Sequence, residues 1–238
     1  MKRIILIVLL FACGIAGQFV LKARRPVDTP LMADSAIAAL GGFRSLAVEA
    51  IWFRADLLQS EGRFVELAQL ASTLTFLEPH TPEVWSYAAW NLAYNVSVMM
   101  PTMEDRWRWV QASLHLLRDR GLPLNPREAE LYREIAWFFQ LKLGADLDSA
   151  SGLYRAKWRA IVEDVARRNA WNELAMDPMR MAAVELQYGV YDWADPISSA
   201  LYWAHQGLPY AQGQDRAFLN ELIRQSRVVL SKRPSPVR

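Results

Sequence analysis

The chain has 238 residues, 53% of them hydrophobic and 22% charged, a balance that supplies a substantial core and excludes disorder over most of its length. Its formal net charge of +2 misleads, because Lys2, Arg3, Lys22, Arg24 and Arg25 flank one N-terminal apolar run and the rest holds 22 basic and 25 acidic residues. That remainder has no basic stripe to neutralise a phosphate backbone, which excludes nucleic acid as an expected partner.

Ile4 to Leu21 is an unbroken apolar run of 18 residues whose one side-chain amide is Gln18. As a helix it is long enough to cross a hydrocarbon core of roughly 30 Å. Residues 1–25 therefore read as a membrane anchor or signal, with 4–21 in the membrane. The chain reads as a single-pass inner (cytoplasmic) membrane protein, and its short basic start favours a body on the extracytoplasmic, periplasmic side. Basic residues flank the run at both ends, so a cytoplasm-facing body stays an alternative. Cys13, the chain's single cysteine, sits in Leu10-Phe11-Ala12-Cys13-Gly14, which resembles the signal at which bacterial lipoproteins are cleaved and acylated. Gly14 to Leu21 stays apolar where such proteins turn polar, so an intact helix leads over cleavage or lipidation. A body without cysteine holds no disulfide and no thiolate metal site. Residues 26–43, with Pro26, Asp28, Thr29 and Pro30, read as a juxtamembrane linker.

From Ser45, the residues Leu46, Ala47, Ala50, Ile51, Leu57 and Leu58 recur at three-to-four spacing and predict a helix. Gly62 breaks it before a partner helix over Phe64 to Leu77, and Pro79 and Pro82 bracket the next turn. Almost no β-branched alternation occurs, which predicts an all-α fold. The helix from Glu83 to Met100 is apolar nearly all round, apart from Ser86, Asn91, Asn95 and Ser97. Asn91 and Asn95 share one face, and the expectation is that they fix an irregular segment over Ser97 to Asp105, with a ligand contact as the alternative. Glu104-Asp105-Arg106-Trp107-Arg108-Trp109 reads as an acidic first helical turn followed by basic and aromatic residues, and another helix opens at Ala129. After Trp158 the pattern predicts helices through Ala175, from Pro178 to Gln187, from Asp195 to Gln206 and from Gln214 to Leu230. Asp177 and Asp195 are expected as N-caps ahead of Pro178 and Pro196. Residues 161–230 are expected to cap the body and 231–238 to form a frayed tail.

Gly62, Phe64, Leu67 and Pro79, then Pro82, Trp85 and Ala89, then Asn125-Pro126, Tyr132 and Ala136 follow a pattern that resembles the tetratricopeptide (TPR) family, whose unit of about 34 residues carries two antiparallel helices. The resemblance covers residues 48 to about 158 and implies a TPR-like α-solenoid of about three helix hairpins over 44–160. It departs from the family where Pro126 falls 47 residues after Pro79, about thirteen beyond one period. The excess is assigned to Ser97–Asp105 and Leu116–Pro123, and Leu147 to Trp158 aligns loosely. The strings Trp90-Asn-Leu-Ala-Tyr94-Asn and Tyr132-Arg-Glu-Ile-Ala-Trp-Phe-Phe139 also look like an uncharacterised family of bacterial membrane-anchored repeat proteins, which brings no activity with it.

By this resemblance, positions of each first helix line a concave groove. They are Glu49, Trp52, Asp56 and Gln59 from the first unit, Glu83, Ser86, Trp90 and Tyr94 from the second, and Glu130, Arg133, Trp137 and Gln140 from the third. Rigid aromatics beside carboxylates and amides suit a protein or peptide partner, although each tryptophan alternatively packs between helices. The expected role is a membrane-anchored scaffold or assembly factor without cofactor or metal. Catalysis is not expected, since His80, His115 and His205 lack ligand spacing and no nucleophile or phosphate-loop motif occurs. A cell-envelope glycan-binding module or glycan-cleaving enzyme is the alternative, with Glu49 and Asp56 flanking a sugar. The sequence leaves the oligomeric state open.

Overall fold

The computed structural model describes residues 43–233. The expected anchor at 4–21, Cys13, the linker up to residue 42 and the tail from residue 234 lie outside the described residues. Among the described residues every regular element is helical, which bears out the all-α expectation, and no helix is long and apolar enough to cross a membrane. The chain divides between Glu78 and Pro79 into two compact units.

The first unit is a hairpin of α1 (Phe43–Ser60) and α2 (Phe64–Leu77). Gly62 makes the turn at φ +70°, a left-handed conformation that glycine adopts without a Cβ penalty. Ala55 and Leu58 of α1 are buried, as are Leu67, Ala71, Leu74 and Leu77 of α2, and Arg44 at the start of α1 pairs with Glu78 past the end of α2 at 3.2 Å. The six apolar residues whose spacing predicts α1 lie on two faces of it. Leu46, Ala50 and Leu57 are exposed, whereas Ala47 and Ile51 are half-buried and Leu58 is buried.

The second unit starts with α3, which runs through Pro82–Trp90, a π-helical segment Asn91–Val96 and a last turn Ser97–Met99. Next, α4 comprises Met103–His115, a π segment Leu116–Gly121 and Leu122–Leu124. α5 comprises Ala129–Trp137 and a π segment Phe138–Leu143. Then come α6 (Ser151–Arg168), a 3₁₀ turn (Trp171–Leu174), α7 (Pro178–Tyr188), α8 (Pro196–Gly207) and α9 (Gly213–Leu230).

Several expectations are corrected here. Ser97–Asp105 is not an irregular segment: only Met100 to Thr102 interrupts the helices, and the Thr102 hydroxyl caps α4 by accepting from the Asp105 amide at 3.0 Å. Leu116–Pro123 is helical as well, so the residues in excess of a regular repeat sit inside helices, partly as wide π turns. Asn95 donates to the Asn91 side-chain oxygen at 3.0 Å across such a turn, rather than holding a loop. The helix after Trp158 stops at Arg168, where Asn169 turns left-handed at φ 52°, and a boundary at residue 160 falls within α6. Asp177 and Asp195 do cap α7 and α8, accepting from the Met179 amide at 2.8 Å and the Ile197 amide at 2.9 Å. α8 is no polar cap, however: every residue from Ala194 to Ala204 is buried, and α5 and α9 pack along it.

One local construction occurs twice. Trp85 donates from Nε1 to the Pro79 carbonyl at 2.9 Å, and Tyr132 donates from its hydroxyl to the Pro126 carbonyl at 2.9 Å, each reaching back six residues. A glycine near the end of a helix packs on each ring-bearing residue, Gly121 on Trp85 and Gly207 on Tyr132. Both glycines open a Gly-Leu-Pro string, at 121–123 and at 207–209. α8 thus stands to α5 as α4 stands to α3, with α6 and α7 intervening in the chain.

Candidate partner-binding face

Contacts between α3 and α5 link Ser86 with Glu130, Trp90 with Trp137 and Tyr94 with Phe138. Those between α5 and α9 link Arg133 with Asp215, Trp137 with Phe218 and Gln140 with Gln225. In both sets the residue numbers rise together, so the three helices run parallel, and all eight positions expected to line the groove in this unit lie along their seams or beside them.

An aromatic path crosses the face. Trp90 stacks on Tyr94 with centroids 4.3 Å apart, and its ring lies 6.1 Å from Trp137, which meets Phe218 edge-on at 6.1 Å. Trp90 and Phe218 are 41% and 39% exposed, enough for an incoming surface to reach, while Tyr94 and Trp137 are half-buried. At one end the Lys142 ammonium sits 5.1 Å from the Tyr94 ring centroid, and at the other the Arg133 guanidinium lies 5.7 Å from that of Phe218.

Carboxylates crowd the N-terminal end of the face. Ser86 donates to Glu130 at 2.8 Å, and Arg133 pairs with Asp215 and, at 3.1 Å, with Glu134. Burial pushes the Glu130 carboxyl up, against the Ser86 hydroxyl that favours its charge, and nearby Glu83 and Asp215 push it further. Burial does the same to Glu134, against Arg133. Glu130, Glu134 and Asp215 thus share the Arg133 guanidinium, and Glu83 beside Glu130 adds a further carboxylate, leaving the cluster acidic.

One expected groove position is corrected. Gln140 is buried, with its amide nitrogen bonded to Gln225 of α9 at 2.8 Å, because α9 covers that end of α5. Glu83 is exposed as the groove reading requires, whereas Ser86, Glu130 and Arg133 are half-buried. In the first unit Glu49, Asp56 and Gln59 are exposed on α1 and Trp52 is half-buried. Sequence reasoning missed Asp215, Phe218 and Gln225, which flank the buried α9 stripe Leu219, Leu222, Ile223 and Ser226. The repeated Gly-Leu-Pro was the available signal that the helix after 207–209 stands in a position like that of α5. No family model, curated protein or solved structure matches the chain.

Proposed function

We propose that the protein is a membrane-anchored, TPR-like scaffold or assembly factor, held by residues 4–21 with its body on the extracytoplasmic side, and that it binds a protein or peptide partner across α3, α5 and α9. The observation that carries this reading is the aromatic path joining Trp90, Trp137 and Phe218 on three parallel helices, open at two of its members. Large rigid rings gain contact area at little rotamer cost and are the side chains on which binding energy concentrates. The repeated Trp85 and Tyr132 construction supports the repeat reading, because the same bond back to a proline carbonyl six residues earlier opens both α3 and α5, as expected of first helices of two hairpins. The surplus of carboxylates suits a partner segment bearing lysine or arginine, whose ammonium or guanidinium neutralises Glu130 and whose aliphatic stem lies along the rings.

In-cell crosslinking and affinity purification of the full-length chain test this. Trp90→Ala with Phe218→Ala is expected to reduce capture of the partner at least ten-fold while circular dichroism stays unchanged, as loss of about 2 kcal/mol at an interface hot spot requires. Capture by the unaltered protein is expected to weaken as salt rises from about 0.05 to 0.5 M, a range over which screening tightens severalfold. Undiminished capture by the doubly substituted, folded protein overturns the reading.

A further inference from the structure

A cavity of about 350 Å³ opens where α6 passes the start of α8 and the residues that follow α9. Three of its lining side chains are guanidinium groups, Arg155 and Arg159 of α6 and Arg233 just past α9, while the small Ala156 and Ala194 leave space between them. Arg155 and Arg159 are four residues apart and so share one face of α6. Burial, and then the charges of Arg155 and Arg159, push the Arg233 guanidinium down from its ordinary value, so the three cations feel one another. The carboxylates that pair with the two α6 arginines are not in the lining. Arg155 donates through Nη2 to Asp146 at 2.7 Å and Arg159 through Nη2 to Asp192 at 2.8 Å, and Glu163 lies 3.7 Å from Arg159. Asp146 is 84% exposed and Glu163 62%, so water screens both charges. Asp195 does line the cavity, but its carboxylate is engaged by the Ile197 amide that it caps and by Arg233. A guanidinium carries five N–H donors, more than these pairs use, so each arginine keeps donors for a further acceptor.

We propose that this cavity binds a phosphate group, held by Arg155, Arg159 and Arg233. A lining of three cations and one committed carboxylate calls for an anion. Phosphate answers it better than a carboxylate, because it brings up to two charges and three strong acceptor oxygens, and the planar guanidinium fork matches it with two hydrogen bonds at a time. The volume falls in the range of pockets that take a small molecule, so the group arrives on a larger body, either a soluble phosphate ester or a lipid headgroup. The site is separate from the face of α3, α5 and α9 and does not depend on what that face binds.

Equilibrium dialysis of the full-length chain in dodecyl maltoside against radiolabelled inorganic phosphate, at constant ionic strength, tests this. One phosphate per chain is expected to bind, half-saturating below about 5 mM. Arg155→Gln with Arg159→Gln is expected to weaken binding by about ten-fold or more while circular dichroism is unchanged, as loss of two charge-assisted hydrogen-bonding groups requires. Arg167→Gln with Arg224→Gln removes the same charge from exposed pairs elsewhere and is expected to leave binding within about two-fold. Asp146→Asn keeps every arginine, frees Arg155 from its partner and is expected to tighten binding about two- to three-fold. An arginine cluster that merely holds α6 in place gains no affinity from that change. Displacement of the label by glycerol phosphate and by dihexanoyl phosphatidate separates the sources. Equal potency assigns a soluble phosphate ester, and about ten-fold greater potency of the lipid assigns a headgroup. Absence of saturable binding, binding unchanged by the Arg155 and Arg159 substitutions, or binding weakened by Asp146→Asn overturns the proposal.

Discussion

Replacing Asp148 by alanine is expected to destabilise the second unit by about 3–5 kcal/mol, the cost of leaving one member of a buried ion pair without its partner. Asp148 lies between α5 and α6 with only 6% of its side chain exposed, and it accepts from the Lys142 ammonium at 2.9 Å. It also accepts from the Tyr154 hydroxyl at 3.0 Å, the Ala150 amide at 2.9 Å and, weakly, the Arg106 guanidinium at 3.4 Å. Lys142 is itself 4% exposed. Truncation strands that ammonium between the Tyr94 and Tyr154 rings and orphans a tyrosine hydroxyl. Equilibrium unfolding in urea, followed by circular dichroism, measures the loss; a change below 1 kcal/mol contradicts this account.

The same group sets an acid limit. Burial pushes the Asp148 carboxyl up, but the Ala150 amide, Lys142 and Tyr154 outweigh it and hold the carboxyl at about 2. Its unfolded value lies near 3.9. The folded value is the lower one, so the contribution is fully present above about pH 4 and is lost as pH falls towards 2. Acid titration of the wild type is expected to show this loss between about pH 4 and 2, and the alanine variant to lack it.

Gly207→Ala is expected to cost about 2–3 kcal/mol through overpacking. A methyl at residue 207 meets the Tyr132 Cβ at 2.7 Å and the Leu219 Cδ1 at 3.0 Å. The first of these is nearly as rigid as backbone, so α8 must move away from α5, and the Tyr132 bond to the Pro126 carbonyl is strained with it. Gly152→Ala in the first turn of α6 is the internal comparison, because nothing lies within 4 Å of the added methyl there. It is expected to be neutral or to stabilise by about 0.5 kcal/mol through helix propensity. Thermal unfolding of the two variants beside the wild type checks both; similar midpoints for the two glycine variants contradict the packing argument.

Helix positions were legible because this sequence punctuates them strongly. Gly62, Pro79, Pro82, Asp177-Pro178 and Asp195-Pro196 mark termini through backbone chemistry that acts over a few residues, and the helices begin and end close to them. The pairing of α5 with α8 was not legible, because 52 residues lie between Leu143 and Pro196 and short-range patterns carry no information about which helix returns. For the same reason the face was read without α9, which supplies Phe218 and covers Gln140. In α1 the difficulty was of another kind: two stripes that both alternate three- and four-residue steps overlap, and hydrophobic periodicity does not say which one a neighbour covers.

The π segments of α3, α4 and α5 also have a bearing on how sequences like this one are compared. A wide turn takes in one more residue than an ordinary turn, so everything downstream is rotated by about 100° relative to an unbroken helix. Trp90 lies at the upstream edge of one such segment and Trp137 at that of another, while Tyr94 and Gln140 lie within them. A point insertion or deletion at these places retunes one half of a helix and leaves the other half's neighbours untouched. Gap-free templates of fixed period lose step at each segment, after Trp90, after His115 and again after Trp137.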